Sequence, residues 1–296
     1  ADVKQMVLIV AALVAITVVL LWKIPVGASE ALSVAGSVGR LEVFDFRFDL
    51  NETYTFWSGI IGGTFLFLSY FGTDQSQVQR YLTARSVDQA RSSLLMSAYW
   101  KIPLQALVLL IGVLVFVFYL FKAPPLWFNP THEAAARQAD SGAVAGLSTR
   151  YADRVAERSA AATALALAHR ADDQPATESA TAAFRAADAA TTALRTEALD
   201  LAKTATGRPA QDVNYIVPRF VLDELPLGLA GVFLAAIIAA AMSSIAAELN
   251  SLSTATVIDF YRRWMRPEAS DGHYLAVSKA ATGVWGIFAC VVAAFA

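Results

Sequence analysis

Two adjacent hydroxyls, Ser243 and Ser244, stand in the middle of a long apolar run, LPLGLAGVFLAAIIAAAMSSIAAELNSLSTATVID from Leu225 to Asp259. No charge occurs between Glu224 and Glu248. That leaves about 23 residues, enough for a helix to cross the ~30 Å hydrocarbon layer. Polar groups at such depth are costly, so each one is a functional candidate. A small cation such as sodium prefers hard oxygen ligands, which hydroxyls and free backbone carbonyls supply without fixed charge. The bland alternative is that each serine bonds back to a carbonyl one turn earlier. Residue type alone leaves both readings open.

Two further constellations have the same character. Lys101, in Ala98-Tyr99-Trp100-Lys101-Ile102-Pro103, lies inside another apolar run. It either snorkels to the membrane surface or faces a water-filled cavity, where it meets a ligand oxygen or a carboxylate. Pro103 has no N–H and so leaves a carbonyl one turn back without its helical donor. Tyr70-Phe71-Gly72-Thr73-Asp74-Gln75 closes an aromatic segment that contains Gly59, Gly62, Gly63 and Gly72. It suits either a broken helix of the kind that forms midplane binding sites or an aromatic belt at headgroup level. Asp2 and Glu248 are weaker candidates. His132, His169 and His273 lie in loops or in a polar insertion, without metal-ligand spacing. No phosphate loop or nucleophile elbow is present.

The elements that must position these groups are membrane helices. Of the 296 residues, 56% are hydrophobic and only 16% charged, whereas a soluble domain is nearer a quarter charged. The net charge of -2 gives no reason to expect a nucleic-acid partner. The single cysteine, Cys290, excludes an intramolecular disulfide. Five apolar segments are expected to span the bilayer: Met6 to Trp22, Thr55 to Gly72, Ser92 to Phe121, Leu225 to Leu252 and Leu275 to Ala296. The second is short enough to be broken or tilted. The chain opens Ala1-Asp2 without Met and closes inside an apolar run, which predicts an internal piece of a longer protein.

Short basic loops orient the spans. Arg80, Arg85 and Arg91 lie in one, and Arg262, Arg263, Arg266 and Lys279 in another. The positive-inside rule places both in the cytoplasm, so residues 122–224 are expected outside. Within that outer segment, residues 131–208 are rich in Ala, Arg and Glu, which are strong helix formers, and Asp172-Asp173-Gln174-Pro175 is a break. The expectation is an extramembrane hairpin of two long helices. Its large residues, among them Tyr151, Leu165, Phe184 and Leu194, are sparse, which favours a solvated spacer over a binding module. The organisation is thus residues 1–130 with three spans, 131–208 as insertion and 209–296 with two spans.

Three motifs together resemble the solute:sodium symporter family. Gly72-Thr73-Asp74-Gln75 with Val78-Gln79-Arg80-Tyr81-Leu82 is similar to the family's GTDQxxVQRxL signature. Ala240-Ala241-Met242-Ser243-Ser244 with Leu249-Asn250-Ser251 and Asp259-Phe260-Tyr261 is similar to a second signature, and Asp2-Val3-Lys4-Gln5 to a TDxxQ start of a core helix. The resemblance covers the five spans and not the insertion. It implies an all-α integral membrane protein, with the fifth to ninth helices of a leucine-transporter-like inverted-repeat core. It also implies sodium at the hydroxyls of Ser243 and Ser244 and the carbonyl of Ala240, completed by a core helix that this chain lacks. Ala246 and Ala247 stand where some members carry hydroxyls for a second sodium, so one ion per cycle is expected. Tyr70 and Lys101 match gate and solute-binding positions of sugar-transporting members. Phe67 replaces an amide there, which leaves an organic acid, an amino acid or a sugar as the solute. Asp2 and Asp74 are expected along the ion pathway.

The function so implied is sodium-coupled symport of a small organic solute across the cytoplasmic membrane by alternating access. Na+ would be the coupling ion, with no cofactor and no enzymatic activity. The alternatives are a transporter-like solute-sensing domain of a membrane signalling protein, or an inactive membrane scaffold.

Overall fold

The computed structural model describes residues 2–49, 51–53 and 55–295, with the backbone alone for Asp2 and Val3. Among these residues there is no strand; the chain is helical from α1 to α11. Among the described residues, four helical stretches are long and apolar enough to cross a membrane: Lys4–Lys23, Val87–Phe121, Leu227–Met265 and Asp271–Phe295. They fall on α1 (Asp2–Lys23), α5 (Val87–Phe121), α10 (Leu227–Ala255) with the π-helix Thr256–Met265 that continues it, and α11 (Asp271–Phe295). The remaining expected span is α3 (Phe56–Gly72), whose 17 residues reach about 25 Å, short of the ~30 Å hydrocarbon layer. The protein is an all-α integral membrane protein.

The chain divides into two compact units, and the division passes through α1, α5 and α10. One unit comprises Ala1–Val7, Phe44–Ile102 and Ala235–Ala296. It holds α3, α4 (Gln75–Leu82), α11 and the adjoining parts of the divided helices. Thr55 starts α3 with a reciprocal cap: its hydroxyl accepts from Ser58 N–H, and Ser58 Oγ accepts from Thr55 N–H at 2.9 Å. The helix stops at Gly72, and α4 begins at Gln75 with Asp74 as its N-cap. Asp74 Oδ1 accepts from Ser76 N–H at 2.8 Å and from Ser76 Oγ at 2.7 Å, satisfying one of the donors that every helix start leaves unpaired. The helix thus ends two residues after Tyr70, where the sequence left a broken helix and an aromatic belt both open. α5, by contrast, runs unbroken through Pro103. Near its end, α10 is joined to α11 by Ser253 Oγ donating to Ser278 O at 2.7 Å. The π-helix adds Trp285 Nε1 donating to Thr256 Oγ1 at 3.0 Å. No residue of α3 is buried, and Tyr274 alone of α11, so the apolar faces of both helices are free to meet other apolar surface.

The other unit comprises Leu8–Val43 and Pro103–Leu234. Ile16, Leu20 and Ile24 recur every fourth residue along one face of α1 and its end. They are buried with Leu114, Val117 and Phe118 of α5 and with Phe220 and Val221 of α9 (Ile216–Glu224). Phe118 and Phe220 meet edge to face with ring centres 5.1 Å apart. In this unit two helices formed where loop was expected, α2 (Ala28–Ser37) and α9, as α4 did in the loop after Gly72. At 10 and 9 residues they are too short to be stable alone, and packing holds them.

The insertion is a hairpin of α7 (Ser141–Arg170) and α8 (Gln174–Thr206), preceded by the short α6 (Pro130–Ala139). Asp140 caps α7 through Ala143 N–H at 2.8 Å, and Asp173 caps α8 through Ala176 N–H at 3.0 Å. Asp172 turns the corner at φ 54, and Gly207 ends α8 at φ 65, both in the left-handed region. The expectation of a poorly filled interface is corrected here. Val144, Leu147, Tyr151, Val155, Arg158, Ala162 and Leu165 are all buried on α7, at spacings of three and four. Phe184, Thr191, Leu194, Ala198 and Ala202 answer from α8. This is the seam spacing of paired helices. Alanines bring the two backbones close enough that few large side chains are needed.

Candidate functional site

A pocket of about 540 Å³ is lined by Met242, Ser243, Ala246, Ala247 and Asn250 of α10, by Gln79 and Arg80 of α4 with Thr83 just after it, and by Gln5 of α1. All of these residues belong to the first unit. The helical period explains the α10 lining: residues 243, 246, 247 and 250 are three and four apart and share one face. Asn250 Nδ2 donates to Gln79 Oε1 at 3.4 Å, linking α10 to α4 across the pocket wall. Asp74 fixes the start of α4, and so it sets where Gln79 and Arg80 stand.

Ser243 is half-buried and lines the pocket; Ser244, the next residue, is exposed and does not. Ala240, half-buried, lies one turn before. Among the described residues neither serine hydroxyl bonds back along the helix. Farther along, Thr254 donates to Asn250 O at 2.8 Å and Thr256 to Leu252 O at 2.7 Å. The Ser243 hydroxyl is therefore left with its donor and its lone pairs available to the pocket. Ala246 and Ala247 extend the same wall with methyl groups only.

Phe67, Tyr70 and Lys101 form a second group. Lys101 Nζ lies 5.1 Å from the centre of the Phe67 ring, within the range of a cation–π attraction. Phe71 joins the set, with ring centres 6.0 Å from Phe67 and 5.0 Å from Tyr70. None of these four lines the serine pocket. The structure thus places Ser243 in a pocket with carboxamide side chains, and Phe67, Tyr70 and Lys101 in a separate group of aromatic rings with an ammonium; Ser244 and Ala240 do not line the pocket. Asp74 acts as a helix cap. The Asp2 side chain lies outside the described residues. Gln5, Gln79 and Asn250 stood in the sequence motifs without an assigned role, and Arg80 served there only to orient the spans.

Residues 187–296 match the family model described as the sodium:solute symporter family. Among curated proteins, the human sodium/iodide cotransporter is 36% identical over 93 residues, 31% of this chain and 14% of that protein. The human sodium-coupled monocarboxylate transporter 1 is 46% identical over 68 residues, 23% of this chain and 11% of that protein. The sodium/sialic acid symporter SiaT of Proteus mirabilis is 41% identical over 78 residues, 26% of this chain and 16% of that protein. These relatives are named as transporters and not as enzymes. The matched stretch is less than a fifth of the length of each. No solved structure matches the chain.

Proposed function

We propose that this chain is part of a sodium-coupled symporter that moves a small organic solute across the cytoplasmic membrane by alternating access. The observation that carries the reading is the Ser243 hydroxyl, which makes no bond along its own helix and lines a pocket walled by α4 and α10. Sodium is held by the hydroxyls of Ser243 and Ser244 and the carbonyl of Ala240, and completed by oxygen ligands from another helix. With methyl groups at Ala246 and Ala247, one ion moves per cycle. Phe67, Tyr70 and Lys101 contact or gate the solute, an organic acid, amino acid or sugar. Names of the relatives support coupling to sodium: iodide, monocarboxylate and sialic acid are the cargoes they state.

The mechanism follows from differential binding. Sodium stabilises the conformation in which its ligands converge, and a ligand shifts an equilibrium only by its difference in affinity between states. When α10 separates from the ligands on the other helix, the ion loses part of its coordination and leaves with the solute. Residues 122–224 lie outside the cytoplasm in this reading, opposite the basic loops.

The test is direct sodium binding, which requires no knowledge of the solute. In the intact protein, Ser243→Ala should weaken binding of radiolabelled sodium at least tenfold and abolish sodium-stimulated uptake. Sodium affinity equal to wild type would overturn the assignment.

A further inference from the structure

Four arginines of the hairpin reach groups that are not part of it. Arg158, buried on α7, donates from Nη2 to Tyr119 O at 3.0 Å and from Nη1 to Asp188 of α8 at 3.4 Å. Arg170 Nε donates to Glu30 Oε1 in the first turn of α2 at 2.8 Å. Arg185 Nε donates to Ser37 O, at the other end of α2, at 2.5 Å. Arg195 donates from Nη2 to both carboxylate oxygens of Asp212 at 3.0 Å. Asp212 is fully buried and also accepts from Phe128 N–H at 2.9 Å.

Two of these acceptors have a particular place in the fold. α5 ends at Phe121 and α2 at Ser37, so Tyr119 O and Ser37 O belong to the last carbonyls of their helices. Such carbonyls have no intrahelical donor, and the helix dipole makes that end favourable for a cation. Beneath the arginines lies an apolar cluster. Val34 of α2 and Leu120 of α5, both fully buried, pack with Ala162, Leu165 and Ala166 of α7 and Phe184 of α8. Trp127 Nε1 adds a bond to Ala198 O at 3.0 Å. A solvated spacer would need none of this.

We infer that the α7–α8 hairpin is a fixed clasp, which caps the C-terminal ends of α2 and α5 and holds them as one body. α2 is too short to persist alone; Ala31 and Ala35 pack it into the core with α5, and Val34, Glu30 and Ser37 tie it to the hairpin. Any conformational step that moves the end of α5 carries α2 and the hairpin with it. The inference concerns how this unit is held together and stands independently of the sodium and solute assignments.

Hydrogen exchange on the intact protein, read by mass spectrometry, tests it. Arg158→Gln with Arg185→Gln should speed exchange at least tenfold in residues 28–38 and 118–124. Arg150→Gln, which removes only the exposed pair with Glu197 inside the hairpin, should leave those peptides unchanged. Unchanged exchange in the double variant would overturn the clasp. Should that variant not fold, a charge swap decides the matter. Glu30→Arg and Arg170→Glu alone should each speed exchange in the first turn of α2, and together they should restore it. Single variants without effect, or a double variant that fails to restore, would refute the clasp.

Discussion

Asn250 of α10 and Gln79 of α4 face each other amide to amide, 171 residues apart in sequence, with Nδ2 donating to Oε1 at 3.4 Å. The bond is long and uncharged, so its net contribution lies at the low end of the usual 0.5–1.5 kcal/mol, about 0.5 kcal/mol. Its position matters more than its strength, because it links the helix carrying Ser243 to the segment positioned by Asp74. Asn250→Ala and Gln79→Ala should each reduce sodium affinity by about twofold, since 1.4 kcal/mol corresponds to tenfold. The double variant should be no worse than the poorer single variant. Fully additive losses in sodium binding would show that the two amides act separately.

Lys101 and Phe67 give the second cluster its test. A cation over an aromatic face at an exposed site is worth about 0.5–1 kcal/mol, so the ring orients the ammonium without neutralising it. Lys101→Met should lower solute uptake at least tenfold while leaving sodium binding in the absence of solute within about twofold. Phe67→Leu keeps the apolar volume and removes the ring, so it should cost about two- to fivefold in uptake by the same energy scale. Equal loss of sodium affinity in Lys101→Met would place Lys101 in the ion site rather than the solute site.

The spans and the hairpin turn were legible in the sequence because each has a strong local signal. An apolar run of about 20 residues has few alternatives to a membrane helix, and Asp172-Asp173-Gln174-Pro175 combines a cap with a proline at the start of α8. The break between α3 and α4 was legible for the same reason, through Gly72 and Asp74. α2 was not, because ten residues of ASEALSVAGS give less than three helical turns, and Val34 finds its partners in Leu120, Leu165 and Phe184, far away in sequence. The hairpin seam escaped notice because alanine occupies both its buried and its exposed positions, so hydrophobicity marks no stripe. The three-and-four spacing from Val144 through Leu165 carries the signal, and the size of the residues does not. At the site, Ser243, Tyr70 and Lys101 stood out as polar groups in apolar surroundings. Gln5, Gln79 and Asn250 belong to one wall only after three distant segments fold together.

Glu224 provides a pH-dependent prediction in the second unit. Its carboxylate is buried at the end of α9, where Lys23 Nζ donates to Oε2 at 2.8 Å and Lys122 Nζ to Oε1. Burial pushes its pKa up, but the hydrogen bonds from Lys122 and Lys23 pull it down further, so the net shift is below 4.5. A carboxylate with a lowered folded pKa stabilises the protein above its unfolded pKa and loses that contribution as pH falls through the folded value. Removing one partner of a buried pair costs about 3–5 kcal/mol. The lysine side chains keep 29% and 55% of their exposure, so solvent screening should reduce this to about 1–2 kcal/mol. Glu224→Gln should therefore lower the unfolding temperature of the intact protein at pH 7, and the gap to wild type should narrow progressively below pH 4.5. Glu30, whose pKa is lowered chiefly by its hydrogen bond from Arg170, titrates in the same direction in both proteins and cancels from the difference. A gap that stays constant from pH 7 to pH 3 would mean that the glutamate contributes through packing alone, and that the two lysines are not held by its charge.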